Sequence, residues 1–288
     1  MSREAFVNGE YTEYINSKVH IEDRGYQFAD GVYEVFAILD RKIVDYEDHI
    51  KRLYRSLKEL RIASPIQKKA YKFHINEIIK RNLIQDGLIY LQVTRGVASR
   101  DFKFPKYSKS TIVIIGKNTP LDNYNNNFNK GIKVKTTKDI RWKRVDIKSL
   151  NLLPPVLAKQ YAADNGCEEA WLLDDDGYIT EGSSSNAWIV KNKTVITRPV
   201  SSSILNGITR STLIKSLSKV GYKFIERRFN LNDIKNADEA FITSASTFVM
   251  PVVEFDGVLI GPSGGKLSLI AKVIWLLRRF SFRGHGCP

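Results

Sequence analysis

Two segments of the chain carry residues able to do chemistry on a carbonyl. In Asp146-Ile147-Lys148-Ser149-Leu150-Asn151-Leu152-Leu153 one lysine sits in a mostly apolar and neutral stretch. In Thr180-Glu181-Gly182-Ser183-Ser184-Ser185-Asn186 one carboxylate heads a small, hydroxyl-rich turn. A buried amine loses part of its proton affinity and becomes able to attack a carbonyl. A carboxylate facing a ring nitrogen keeps that nitrogen protonated and turns the ring into an electron sink. Amine, carboxylate and the hydroxyls of Ser184 and Ser185, available for a phosphate, together suit a phosphorylated heteroaromatic aldehyde.

The elements that must position these groups follow from periodicity and turn chemistry. Residues 5–11 form a hairpin, because Asn8-Gly9 supplies the positive φ angles of a two-residue turn. Residues 32–39 are strand-like, Asp40-Arg41 turns, and 42–44 pair back. From Tyr46 the spacing is helical, with Ile50, Leu53, Leu57 and Leu60 on one side until Pro65, and Ile75, Ile78 and Ile79 mark a second helix. Strands follow at 88–94 and 111–115. Residues 118–130, including Asp122-Asn123-Tyr124-Asn125-Asn126-Asn127, have no apolar periodicity and are expected to be a linker. The expected organisation is therefore a small N-terminal α/β domain over 1–120, a linker over 121–130 and a larger domain over 131–288.

In that larger part, strands are expected near 132–136, 169–173, 187–190, 223–228 and 239–243. Pro154-Pro155 open a helix to about Asn165, Asp175-Asp176-Gly177 turns toward Glu181, and helices cover 209–220 and 267–280. The tail 281–288 has no periodicity.

Composition is that of an average soluble protein, 43% hydrophobic and 26% charged over 288 residues. No apolar run approaches a membrane span, and the N-terminus lacks the apolar core of a signal peptide. Cys167 and Cys287 are too few for a disulfide framework and lack metal-ligand spacing, which fits a reducing cytoplasm. His20, His49, His74 and His285 form no triad or metal pattern, and His49 is expected to pack at its helix start. The net charge of +14 is scattered, with no aromatic-interleaved RNA motif, so the reading is a basic enzyme surface that draws in anionic substrates and a phosphorylated cofactor. Neither a nucleic acid nor a membrane is an expected partner.

Lys148-Ser149-Leu150-Asn151-Leu152-Leu153, Val156-Leu157-Ala158-Lys159-Gln160, Gly166-Cys167-Glu168-Glu169-Ala170 and Glu181-Gly182-Ser183-Ser184-Ser185-Asn186 resemble class IV pyridoxal-phosphate aminotransferases. Residues 22–34 (Glu-Asp-Arg-Gly-Tyr-Gln-Phe-Ala-Asp-Gly-Val-Tyr-Glu) fit as well, and the likeness, strongest to D-amino-acid (D-alanine) aminotransferases, runs from about 5 to about 260. The resemblance implies fold type IV: two α/β domains of α+β character with pyridoxal 5′-phosphate in the cleft between them, in a homodimer that completes each site. It implies that Lys148 forms the Schiff base with the cofactor aldehyde and then carries a proton between substrate Cα and C4′. It assigns Glu181 to the pyridine nitrogen, Leu205 to the face of the ring and Arg52 to the phosphate.

Gly207-Ile208-Thr209 precede a helix, so their N–H groups and the Thr209 hydroxyl are placed to hold an anion. Ser244-Ala245 follow a strand; where D-amino-acid enzymes often have a second hydroxyl, Ala245 leaves only its backbone N–H. Tyr33 and Arg100, the arginine coming from the partner subunit, match residues that bind the substrate carboxylate. The known members carry a histidine two positions after that arginine, and here Phe102 stands there. Arg24 is a conceivable substitute donor, with pairing to Glu22 or Asp23 as its alternative. The expected activity is transfer of an amino group between a D-amino acid of the D-alanine or D-glutamate class and a 2-oxo acid such as 2-oxoglutarate or pyruvate. Branched-chain L-amino-acid aminotransferase and 4-amino-4-deoxychorismate lyase share the fold and stand as alternatives.

Overall fold

The protein is described here by a computed structural model that covers residues 3–119, 121–217 and 221–261. The described residues fall into two compact units, one running to Leu121 and including Ile147–Asn151, the other comprising Asp122–Asp146 and the chain from Leu152 onward.

The first unit is a six-stranded sheet with helices packed on it. Strands β1 (Glu4–Val7) and β2 (Glu10–Glu13) form the hairpin, turning at Asn8 and Gly9 with φ of 52° and 109°. A short helix α1 (Arg24–Phe28) is capped by Asp23, whose carboxylate accepts from the Gly25 N–H at 2.8 Å, and closes at left-handed Ala29. Then come β3 (Gly31–Leu39), β4 (Lys42–Ile43), α2 (Tyr46–Glu59), α3 (Lys68–Arg81), β5 (Gly87–Thr94) and β6 (Thr111–Asn118). The antiparallel order is β2-β1-β6-β5-β3-β4. Helix α2 packs on β3, and α3 on β1 and β6. Ile50, Leu53 and Leu57 of α2 and Tyr71, Ile75, Ile78 and Ile79 of α3 form their buried faces, as the helical spacing requires.

The second unit holds α4 (Leu121–Lys130), β7 (Ile132–Lys138), α5 (Leu153–Asp164), β8 (Glu169–Leu173), β9 (Ile179–Gly182), β10 (Asn186–Lys191) and β11 (Thr194–Thr197). It continues through α6 (Ile208–Leu217), β12 (Lys223–Glu226), α7 (Leu231–Lys235), β13 (Glu239–Ser244), β14 (Phe248–Phe255) and β15 (Val258–Leu259). The mixed sheet runs β12-β11-β10-β13-β14-β7-β8-β9, with β15 beside β14. Trp171, Trp188, Phe229, Phe241 and Phe255 fill its core, and Trp188 stacks on Phe241 at 5.4 Å between centroids.

Two expectations about organisation are corrected. The asparagine-rich stretch 121–130 is the helix α4. Its Phe128 is buried in the second unit's core, and Gly131, at φ 73°, ends the helix by donating to the Asn127 carbonyl at 2.8 Å. Composition hid it because one well-placed aromatic anchor outweighs weak asparagine propensities. Residues 147–151 belong with the first unit although the sequence places them well inside the second. The expected helix 267–280 and the tail 281–288, with His285 and Cys287, lie outside the described residues.

Candidate active site

Lys148 is held by strand pairing. From Gly31 to Ile38 one side of β3 is taken by β5, while β4 pairs the other side only at Ile38 and Leu39. The segment around Ser149 fills the vacant edge: the Tyr33 N–H donates to the Lys148 carbonyl and the Leu150 N–H to the Gly31 carbonyl, both at 3.0 Å. The Lys148 Nζ lies 4.1 Å from the centroid of the Tyr33 ring. Lysine and tyrosine, 115 positions apart in the chain (148 − 33), are thus brought together in one unit. Lys148 is half-buried, less enclosed than its apolar flanks led us to expect.

Close packing permits this arrangement only because residue 31 has no side chain. A Cβ there would stand 2.7 Å from the Val93 carbonyl oxygen and 2.8 Å from Leu150 Cδ1.

Arg52, expected at a phosphate, donates from Nε and Nη2 to the two oxygens of Glu34, both at 2.8 Å. Glu34 is fully buried and also lies 2.7 Å from His49 Nδ1. Burial pushes the Glu34 carboxyl up, but the Arg52 charge and hydrogen bond, joined by His49, overcome it and bring the pKa down to about 2. His49 therefore does more than pack at a helix start. Glu34 and His49 were not marked as a pair in the sequence, since 15 positions separate them and no motif links them.

Arg100 is exposed, with its Cζ 4.7 Å from the Phe28 ring centroid. The idea that Arg24 replaces the missing histidine donor is overturned. Arg24 is buried, donates from Nε to Asp30 at 2.8 Å and from Nη1 to the Asp101 carbonyl at 2.6 Å, and pairs with neither Glu22 nor Asp23.

In the second unit the remaining groups gather at one end of the sheet. Asn186, the first residue of β10, is in register with Thr243, next to Ser244 at the end of β13. Glu181 is the penultimate residue of β9, and its buried carboxylate accepts from the Arg141 guanidinium, from Asn186 Nδ2 at 2.8 Å and from the Leu205 N–H at 3.1 Å. Arg141 is fixed in turn by Asp139, at 2.9 and 2.7 Å. Burial raises the Glu181 carboxyl above its ordinary range, against the lowering pull of Arg141 and the Leu205 N–H. Each Glu181 carboxylate oxygen takes two contacts, the Leu205 N–H being shared between them. Arg141 and Asp139 were missed because they stand some 40 positions before the groups they serve.

Asn186 also donates to the Leu205 carbonyl at 2.9 Å, which ties Glu181 to the turn before α6. Gly207 lies in that turn, where a Cβ would come 2.1 Å from Asn186 Oδ1. Ile208 and the buried Thr209 then open α6. The Ser244 hydroxyl accepts from the Thr247 N–H at 3.0 Å, and Ala245 lies in the same turn. The hydroxyls of Ser183, Ser184 and Ser185 all donate to the buried Glu169 carboxylate, at 2.8 Å for Ser184 and 3.1 Å for Ser185. Their protons are committed to an anion, so the phosphate role expected of Ser184 and Ser185 meets a competitor that sequence alone did not reveal.

The family profile Amino-transferase class IV matches residues 31–255, more than half of the chain. The chain belongs to the class IV aminotransferases. A D-alanine aminotransferase of Staphylococcus haemolyticus is 40% identical over 270 residues, 93% of each chain, and one of Bacillus licheniformis is 39% identical over 254 residues, 88% of this chain and 89% of that one. Among solved structures, the Escherichia coli branched-chain amino acid aminotransferase superposes with a TM-score of 0.89 at 23% identity, covering 99% of this chain and 95% of that one. The T.th. branched-chain amino acid aminotransferase with pyridoxamine 5′-phosphate gives 0.91 at 23% identity, covering 99% and 96%. At that identity the structural likeness establishes the fold, which is fold type IV.

This class IV chain is accordingly a pyridoxal-phosphate-dependent aminotransferase. Each unit by itself holds groups whose chemistry fits the cofactor: the first a strand-held amine for an aldehyde, the second a buried carboxylate for a pyridine N–H and a helix start with a hydroxyl for a phosphate. Among the described residues no helix is long and apolar enough to cross a membrane, and no cluster of His, Cys, Asp and Glu is arranged to hold a metal.

Proposed function

We propose that this class IV aminotransferase exchanges an amino group between a D-amino acid of the D-alanine or D-glutamate class and a 2-oxo acid such as 2-oxoglutarate or pyruvate. The observation that carries the reading is the likeness, at 37–40% identity over about nine-tenths of the chain, to proteins named D-alanine aminotransferase. Branched-chain enzymes share the fold at 23% identity.

Bound pyridoxal phosphate supplies the aldehyde and the electron-accepting ring. In our reading Lys148 would hold the cofactor at its aldehyde through Nζ, and its amine would serve as the group that accepts and returns the substrate Cα proton. Its seat on β3 fixes the amine relative to Tyr33, so little motion is needed for the transfer. Glu181 would hold the ring nitrogen's proton; Arg141, Asn186 and the Leu205 N–H aim its carboxylate, and Arg141 and the Leu205 N–H oppose the upward push of burial. For the phosphate, the first unit would offer Arg52, braced by Glu34, and the second the N–H groups of Gly207, Ile208 and Thr209, the Ser244 hydroxyl and the Ala245 N–H. Leu205 would lie against the ring, and Tyr33 and Arg100 would receive the substrate carboxylate. Ser184 and Ser185 serve the cofactor through the Glu169 network that orders their turn.

We further infer a cytoplasmic homodimer in which Arg100 serves the site of the second copy; the buried free thiol of Cys167 supports a reducing compartment. Mixing the Lys148→Ala and Arg100→Leu variants tests the exchange, because one intact site reappears only if the two residues come from different copies.

Half-reactions followed by cofactor absorbance, with D-alanine, D-glutamate and L-leucine offered separately, test the substrate assignment. Both D-amino acids are expected to convert the cofactor, and conversion by L-leucine alone overturns the reading. Lys148→Ala is expected to lose turnover and the borohydride-trappable bond together; a variant that kept both would remove Lys148 from the chemistry.

A further inference from the structure

Three consecutive residues of the loop between β5 and β6 rest on helix α1. The Arg100 guanidinium lies over the Phe28 ring with Cζ 4.7 Å from the centroid, the Asp101 carbonyl accepts from Arg24 Nη1 at 2.6 Å, and the Phe102 ring stands 5.5 Å from that of Phe28, tilted by 59°. The seat itself is rigid. Arg24 lies over the same ring at 4.6 Å and pairs with Asp30, which is clamped a second time by Arg95 at 2.7 and 2.9 Å. Arg95 also donates to the carbonyls of Leu60 and Arg61. The loop base is tied to the same segment by Arg24 N–H to the Gly96 carbonyl at 2.9 Å and by the bridge between Asp23 and Val97.

The way Arg100 is held differs from its neighbours. Arg24, Arg52, Arg95 and Arg141 direct their N–H edges at carboxylates, namely Asp30, Glu34, Asp30 again, and Asp139 with Glu181. Arg100 makes no ion pair among the described residues and lies instead over the Phe28 ring, its Cζ 4.7 Å from the centroid. A face contact uses the ring's negative π surface and leaves the charge and the N–H edges available, and those edges form the fork that matches a carboxylate bidentately.

We propose that Phe28 is the positioning residue for Arg100, presenting its N–H edge to the substrate carboxylate, with Arg24 and Phe102 completing the mount. The proposal rests on the reading of Arg100 as the carboxylate-binding residue.

The test uses the cofactor-loaded enzyme, with kcat and KM for D-alanine measured separately and acetate as a competing carboxylate. Phe28→Leu is expected to raise both KM and the acetate inhibition constant about three- to tenfold, with kcat at saturation nearly unchanged. Phe28→Tyr keeps the π face and is expected to match the parent enzyme; should Phe28→Leu not fold, Phe28→Met takes its place as the variant without a ring. Arg100→Leu is expected to raise the same constants on the order of a hundredfold. If Arg100→Leu changes neither constant, the carboxylate assignment falls and this proposal with it. If Arg100→Leu weakens binding while Phe28→Leu and Phe28→Met do not, or if the tyrosine variant is as impaired as they are, the mount alone is refuted. A loss confined to kcat refutes it equally.

Discussion

At the scale of single residues, the two groups recognisable in the sequence each depend on a neighbour that is not. Glu181 is buried, and burial pushes its carboxyl upward while Arg141 resists. Arg141→Met removes that resistance, so the carboxyl rises further and stays protonated to higher pH. The acid limb of the kcat profile is expected to move up in pH, with kcat lower on the order of tenfold to a hundredfold. An unmoved acid limb would show that Asn186 and the Leu205 N–H suffice. Glu34 gives the opposite sign. Its folded pKa of about 2 lies below the reference 4.5, so its stabilising contribution is fully present above about pH 4.5 and is lost as pH falls toward 2. That shift corresponds to about 3 kcal/mol. Glu34→Gln also leaves Arg52 without its carboxylate, and the variant is expected to be about 3–5 kcal/mol less stable at neutral pH. In urea unfolding the gap from the parent should narrow between pH 4.5 and 2, and a gap constant with pH would contradict the ion pair.

At the scale of elements, Lys148 is only as well placed as the short segment that pairs with β3. Gly31→Ala tests that seat, because its Cβ meets the Val93 carbonyl and Leu150 at 2.7 and 2.8 Å. The carbonyl belongs to a central strand and resists displacement, so the Lys148 segment is the part expected to shift. A stability loss of about 1–3 kcal/mol is expected from urea unfolding, together with a fall in borohydride trapping larger than the unfolded fraction explains. Trapping at the parent level would mean that Lys148 tolerates a displaced seat. Here the sequence was legible in part. Helices α2 and α3 were readable from their apolar spacing, and the hairpin from Asn8-Gly9. Helix α4 was not, since its asparagines carry no pattern and one buried Phe128 decides the matter. Helix α7 carried an unused signal in Asn230 and Asp233, a reciprocal capping box at its start.

At the scale of the whole molecule, a net charge of +14 sets a field that favours anionic substrates. KM for D-glutamate is expected to rise more steeply with salt than KM for D-alanine, because D-glutamate carries a net negative charge whereas D-alanine is a net-neutral zwitterion. Equal salt dependence would confine the effect of the charge to the carboxylate site. Sequence by itself determined the chemistry: Lys148 and Glu181 stand in local contexts whose residue types and order are enough to name the cofactor. It also marked Tyr33, Arg100 and the departure at Phe102. Tertiary structure alone decided which groups make those residues work. Lys148 joins the sheet of the first unit through β3, Arg141 reaches Glu181 across 40 positions, Glu169 gathers three serine hydroxyls across 14 to 16, and Phe28 lies against Arg100. The reason is physical. Periodicity and turn chemistry report the few residues around a position, whereas a buried charge is satisfied by whichever partner the completed fold carries to it.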